Sequence, residues 1–251
     1  MRLAVIADIH GNVLALDAVL ADIAAAGIDR IVNLGDVVSG PLWPRETAGR
    51  LMPLDLPTVR GNHDRWVVAT PRAEQYPSDA FAHDELTEAQ RQWLGGLPMV
   101  LDLEVEGLAI RCFHATPSDD NTYLMHRVGE GGMVPAAAAE VRAGLGATGS
   151  AGLVLCGHTH QARVLALPGG PLVVNPGSIG LPAYSDPTPP RPHVSEAGSP
   201  HARYAIVTIA AGQVASVELR AIAYDWRAAA ARADGLGSAD WAHALATGFM
   251  A

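Results

Sequence analysis

The chain has 251 residues, 49% of them hydrophobic and 17% charged, which is enough apolar material for a full core and rules out a disordered chain. Its 26 acidic and 17 basic side chains leave a formal net charge of −9, which argues against general affinity for nucleic-acid backbones. Every basic residue is Arg, which excludes a Schiff-base Lys, a P-loop Lys and a polybasic membrane patch, and aromatics at 5% are too sparse for a single-strand stacking platform.

Leu3 to Ala7 is a continuous apolar run, the pattern of a strand buried on both faces. Asn12 follows a turn at Gly11 and can cap a helix in which Val13, Leu16, Leu20 and Ile23 recur at helical spacing, with Gly27 as the stop. Ile31 to Leu34 reads as a second buried strand, so the chain opens on a parallel pair with a right-handed crossover. A helical stretch near Glu46 to Leu51 leads to a short third strand at Thr58-Val59. Thr87 and Gln90 make a capping box for a helix ending near Leu94.

The middle of the chain changes to hairpins. Val100 to Val105 and Leu108 to Phe113 flank a turn at Glu106-Gly107. Leu153 to Cys156 is another buried strand, and Val164 to Leu167 and Leu172 to Val174 flank a Pro-Gly-Gly-Pro turn. Pro182 to Pro200 is rich in Pro, Ser and Gly and reads as a long loop, of the kind that is functional or mobile. Tyr204 to Ile209 and Val214 to Leu219 form a last hairpin around Gly212, and an Ala-rich helical tail starts at Asp225, interrupted near Gly235 to Gly237. The pattern predicts an α/β fold in which two mixed sheets pack face to face with helices outside, as one domain over residues 1–251.

Two cysteines, Cys112 and Cys156, cannot build a disulfide framework or a four-cysteine zinc site and suit a reducing compartment. No apolar stretch is long enough to span a membrane, and the N-terminus lacks the pattern of a signal peptide. A cytoplasmic location is the expectation.

The polar residues fall at strand ends. Asp8 and His10 follow the first strand, Asp36 the second, and Asn62, His63 and Asp64 the third; His114 ends the Leu108 strand, and His158 and His160 follow Cys156. Carboxyl ends of parallel strands form the ligand crevice of open α/β sheets. Asp-x-His and His-x-His in extended backbone would send both side chains to one side. Carboxylate, imidazole and amide oxygen, without thiolate, suit Mn, Fe, Zn, Co or Ni. Seven ligands exceed what one catalytic ion with an open position can use, and they suit two ions sharing a carboxylate.

The order Asp8-x-His10, Gly35-Asp36, Gly61-Asn62-His63-Asp64, His114 and Gly157-His158-Thr159-His160 resembles the calcineurin-like metallophosphoesterase superfamily, and Asn175-Pro176-Gly177-Ser178-Ile179-Gly180 is similar to a loop of its small bacterial phosphodiesterase branch. The resemblance runs from residue 1 to about residue 225 and implies a four-layer α/β/β/α sandwich. It implies that Asp8, His10, Asp36 and His160 bind one Mn, Fe or Zn ion, and that Asp36, Asn62, His114 and His158 bind the second. A water shared by the two ions would ionise near neutral pH and attack phosphorus. His63 would protonate the leaving oxygen, with Asp64 or a nearby carboxylate orienting its ring. Asp36 is followed by Val37-Val38-Ser39-Gly40, so the carboxylate that protein phosphatases of the superfamily carry at the place of Ser39 is missing, and that activity is not implied.

Around this set, Arg65 beside the Asn62-His63 turn could touch phosphate oxygens or form a structural salt bridge. Trp43 could stack on a substrate ring or pack in the core. Tyr184, His193 and His201, in or beside the Pro-rich segment, could belong to a lid over the metals or to an insert or dimer contact. The expected function is a metal-dependent phosphoesterase acting on small phosphodiesters or phosphomonoesters. The rivals are a nuclease of the same superfamily and a non-catalytic scaffold that keeps the fold. The expected partner is a small phosphate ester, with neither membrane nor nucleic acid, and a homodimer is left open.

Overall fold

The computed structural model describes residues 1–129, 132–188 and 191–251. β1 (Arg2–Ile6) leads into α1 (Val13–Ala25), whose first turn is capped by the Asn12 side chain accepting from the Ala15 amide. β2 (Ile31–Asn33) pairs in parallel with β1, Ala4 opposite Ile31. Next come α2 (Pro44–Leu51), α3 (Asn62–Ala69), α4 (Pro77–Glu85) and α5 (Glu88–Gly95), the last opened by the Thr87–Gln90 capping box. The expected third strand shrinks to one parallel bridge between Asn33 and Thr58, because Pro57 lacks an N–H and α3 begins at Asn62. α4 lacks a sequence signal: its buried residues are Asp79, Ala80 and Ala82, too small and polar to make an apolar stripe.

β3 (Val100–Val105) and β4 (Leu108–Phe113) form the predicted hairpin, Val100 opposite Phe113. β5 (His126–Gly129) and β6 (Gly132–Pro135) pair with each other and lead to α6 (Ala138–Leu145). β7 (Leu153–Leu155), β8 (Arg163–Ala166) and β9 (Leu172–Asn175) follow. The Pro-rich segment is not a bare loop: β10 (Ala183–Asp186) and β11 (His193–Glu196) pair antiparallel, Tyr184 opposite Ser195. Its prolines fall outside the paired residues, where no ladder N–H is needed, and residues 189 and 190 of the segment lie outside the described residues. β12 (Ala202–Ala210) and β13 (Gln213–Ile222) make the last hairpin, and α7 (Trp226–Gly235) and α8 (Ala239–Thr247) the tail.

Two mixed sheets result, in the orders β13-β12-β1-β2 and β3-β4-β7-β9-β8. Alternation along β1 sorts its side chains. Ala4 and Ile6 join an apolar cluster with Leu16, Val19 and Ile23 of α1. Leu3, Val5 and Ala7 join Ile110, Cys112, Leu153 and Leu155 between the sheets. The far face of the second sheet offers Phe113, Val154 and Cys156 to Val141 and Leu145 of α6. Both cysteines are buried free thiols within these clusters. No helix among the described residues is long and apolar enough to cross a membrane.

Candidate metal centre

The loops after β1, β2, β4 and β7 meet at one edge, but not by the extended geometry expected from the Asp-x-His and His-x-His spacing. Asp8 (φ 54°), His10 (φ 51°), Asp36 (φ 54°), His158 (φ 71°) and His160 (φ 59°) all take left-handed backbone. Non-glycine residues in that region cost about 1–3 kcal/mol each and persist only where surrounding bonds hold them. Here the Asp8 amide donates to Gly35 O at 3.0 Å, the His10 amide to Asp36 O at 3.0 Å, and the Gly157 amide to His114 O at 2.7 Å. The Asn175–Gly180 loop braces the tip of β1: Ser178 Oγ and the Gly180 amide both donate to Asp8 O, at 2.8 and 3.0 Å. Gly61 is needed for contact, since a Cβ there would fall on Oδ1 of Asp36.

Each of four histidines has one ring nitrogen on a backbone carbonyl: His10 Nδ1 on Ser39 at 2.9 Å, His114 Nδ1 on Leu34 at 2.7 Å, His160 Nδ1 on Leu181 at 2.7 Å, and His158 Nε2 on Asn121 at 2.9 Å. A carbonyl only accepts, so those nitrogens carry the hydrogen and the other nitrogen of a neutral ring offers a lone pair. His10 Nε2 and His160 Nε2 then face each other at 3.1 Å. Two facing lone pairs repel unless a cation lies between them. His114 Nε2 and Asn62 Oδ1 are buried without a hydrogen-bond partner among the described residues. Asp8, His10 and His160 form one set, and Asp36, His114 and His158 another; within each set the donor atoms lie within 4.8 Å of one another. Asp36 Oδ2 is 3.2 Å from His114 Nε2 and 3.9 Å from His10 Nε2, so it reaches both. This donor set fits two transition-metal ions.

Without ions, protons take their place. Burial works against an imidazolium at His114, but Asp36 outweighs it and raises the pKa to about 10. Burial, aided by Asp36, pushes Asp8 up to about 8. Burial pulls His10 down to about 4 and His158 to about 3, so these two stay neutral at pH 7. Loading ions at pH 7 is therefore expected to expel about two protons from His114 and Asp8, and up to about one more from ion-bound water. The share from Asp8 should disappear above pH 8, where Asp8 has already ionised. Titration calorimetry in buffers of different ionisation enthalpy measures it, and a count of zero at pH 7 would remove the assignment.

His63 stands beside this cluster, its ring centroid 5.5 Å from that of His10 and its side chain 25% exposed to the cleft. Asp64 does not orient it. Asp64 Oδ2 accepts from the Asp36 and Gly61 amides at 2.8 and 2.9 Å and Oδ1 from the Val37 amide at 2.9 Å, tying the second and third motif loops together. The carboxylate on His63 Nδ1 is Asp79 Oδ1 at 2.7 Å, fully buried in α4, with Ser39 Oγ at 3.3 Å. Burial opposes the charged ring, but Asp36 and the Asp79 hydrogen bond raise its pKa to about 9. Asp79 has no sequence signal, since an acid in the first turn after Pro77 reads as an ordinary helix start.

A cleft of about 910 Å³ opens over the cluster. Tyr184 lines it, its ring 4.7 Å from that of His160 and its hydroxyl 2.7 Å from that of Tyr123. His193 meets the cleft only through Tyr123 Oη, at 2.9 Å. Three other candidates lie off its walls. Both arms of the Arg65 guanidinium are on Asp120 at 2.7 Å. Trp43 packs with α7, under the Arg232 guanidinium at 5.8 Å. His201 packs on Trp226 at 5.2 Å. The aromatic residues that do line the cleft include Trp66, Tyr123 and Trp241, none of which sequence reading singled out.

A sequence model of the calcineurin-like phosphoesterase superfamily domain matches residues 1–195. An uncharacterized protein of Methanocaldococcus jannaschii is 32% identical over 120 residues, 46% of this chain and 49% of that protein, so the match spans about half the length of this curated relative. Among solved structures, a metallophosphoesterase of Sphaerobacter thermophilus is similar with a TM-score of 0.70 and 25% identity over 99% of both chains. A hypothetical protein of Pyrococcus horikoshii OT3 has a TM-score of 0.78 at 19% identity over 100% of this chain and 99% of that one, a likeness of fold.

Proposed function

This chain belongs to the calcineurin-like phosphoesterase superfamily, and from that premise we propose that it hydrolyses small phosphoric esters with two bound transition-metal ions. One observation carries the reading: His10 Nε2 and His160 Nε2 aim lone pairs at each other across 3.1 Å, beside Asp8 and Asp36, with both Nδ1 hydrogens already committed to carbonyls. Asp8, His10, Asp36 and His160 would hold one ion, and Asp36, Asn62, His114 and His158 the other. Such ions, when bound, supply Lewis acidity toward phosphoryl oxygens and a water that ionises near neutral pH. His63, held at Nδ1 by Asp79, keeps Nε2 for the leaving oxygen and donates the proton that the departing alkoxide needs. Asp79 is a positioning residue: it sets the ring's direction and keeps it charged.

Asp79→Asn is therefore expected to lower kcat about 10- to 100-fold, part of what a general acid contributes, with metal content and KM near wild type. The alkaline limb of the rate profile should also move to lower pH, because His63 loses the carboxylate that raises its pKa. An unmoved limb with full kcat would end the positioning role.

The reading as a whole is tested by turnover of an aryl phosphodiester and an aryl phosphomonoester with Mn, Fe or Zn added and then chelated, against cleavage of plasmid DNA. Metal-dependent turnover of either small ester supports it. Turnover of neither, with any of the three metals, would favour the scaffold. The net charge of −9 and a cleft whose described lining includes no Arg give the nuclease less support.

A further inference from the structure

α8 and the turn before it, Leu236 to Ser238, lie beyond residues 1–195, the part matched to the superfamily, yet they supply one wall of the cleft. Trp241 of α8 meets the His10 ring edge to face at 6.0 Å. Its six-membered ring lies against Gly40, where a Cβ would come within 2.9 Å of it, so the loop after β2 admits this ring only because position 40 has no side chain. Trp66, Phe81 and Tyr76 also line the cleft, from α3, α4 and the turn before α4; Trp66 and Tyr76 have ring centroids 5.7 Å apart, and Tyr76 is 56% exposed. Tyr76, exposed, and Trp66, Phe81 and Trp241, partly exposed, gathered in one cleft beside the candidate metal cluster, are apolar area held ready for a flat group.

The charges in the cleft lean one way. No Arg is among the described residues that line it, and Arg65 nearby is neutralised by Asp120. Beyond Asp36 the lining carboxylates are Asp186, at the end of β10, and Asp240, in the first turn of α8. The phosphoryl charge would be met at the metal cluster. Away from His63, whose proton goes to the leaving oxygen, any second negative charge on the substrate would meet two carboxylates and no Arg among the described lining residues. Resting on the phosphoesterase reading above, we infer that α8 and the turn before it make the cleft selective for phosphodiesters whose second ester group is a flat ring without a negative charge of its own.

Three diesters sharing a 4-nitrophenyl leaving group test this, with phenyl, methyl or 4-carboxyphenyl as the second group, on the Mn-loaded full chain. kcat/KM for phenyl is expected to exceed that for methyl by about tenfold, from ring burial. It should exceed carboxyphenyl by about tenfold at low salt, and that gap should close near 0.5 M NaCl, roughly where screening shortens to a few ångströms. Trp241→Leu should collapse the phenyl-to-methyl ratio and Trp241→Phe preserve most of it. The double variant Asp186→Asn, Asp240→Asn should collapse the phenyl-to-carboxyphenyl ratio; both residues lie at least partly open to solvent, so it decides the matter even if Trp241→Leu fails to fold. Values for the three diesters within twofold of one another in the wild type would overturn the selectivity and leave the phosphoesterase reading standing. Turnover of none of them, with Mn, Fe or Zn, would remove both.

Discussion

Asp36→Asn is expected to lower turnover by about a thousandfold or more, the scale of losing a pre-positioned electrostatic group at the reacting centre, and to leave the protein unable to hold two metal ions. Asp36 reaches both sets of donors, 3.2 Å from His114 Nε2 and 3.9 Å from His10 Nε2; Asp8 lies 3.5 Å from His160 Nε2 and 3.9 Å from His114 Nε2. Asn keeps the shape: its carbonyl can still accept from the His63 amide, which donates to Asp36 Oδ1 at 3.0 Å. Oδ2, the atom that faces His114 and His10, becomes an NH2 group, so the charge and a metal-facing lone pair go together.

The same substitution should cost stability in the metal-free protein. His114, raised to about 10, contributes stability that is complete below about pH 6.5 and is lost as pH rises through its folded value. Asp36, held well below its usual range against the effect of burial by His114 and His63, contributes stability that is present above about pH 4 and lost on further acidification. Both contributions are complete between about pH 4 and 6.5, so the deficit should be largest there and still large at pH 7. Breaking a buried charged pair costs about 3–5 kcal/mol, which for a chain of this size lowers the melting temperature by on the order of 10 °C. Elemental analysis and thermal melts at pH 7 read both effects. Two ions per chain with wild-type turnover would refute the shared-carboxylate role.

His63→Ala should separate chemistry from metal binding. Removing a general acid costs about 10²- to 10⁴-fold in kcat, while the donors of both metal sets remain. His63 is the hydrogen-bond partner of the fully buried Asp79, so its loss leaves that carboxylate unpaired and a thermal melt belongs beside the kinetics, but none of the metal donors is removed. The deficit should be smallest for 4-nitrophenolate, which departs without a proton, and largest for an alkyl alcohol. Metal content falling to zero together with activity would mean that His63 serves the cluster itself.

Much of the fold could be read along the chain because each element carries its own signal. The apolar run Leu3–Ala7, the Asn12 cap and the hairpin turns at Glu106-Gly107 and Gly212 are local features, and the two mixed sheets follow from them. The strand-end motifs could be read for the same reason: Asp8, Asp36, His114 and His158 each sit next to an apolar run, and parallel strands deliver their carboxyl ends to one edge. The Pro-rich segment was harder, since its prolines mask the alternation of β10 and β11.

By itself, then, the sequence determined most strands of the two main sheets, the family of chemistry and which side chains stand at the strand tips. Tertiary packing decided how those side chains are used. The left-handed backbone at Asp8 and His10 is held by hydrogen bonds between loops far apart in the chain and does not follow from the two-residue spacing. Asp79 rather than Asp64 meets His63 because α4 happens to dock beside α3, and Trp241 rather than Trp43 lines the cleft because the tail folds back over Gly40. Backbone signals are local and repeat along the chain, whereas the partner of a buried polar group is set by whichever distant element fills the space beside it.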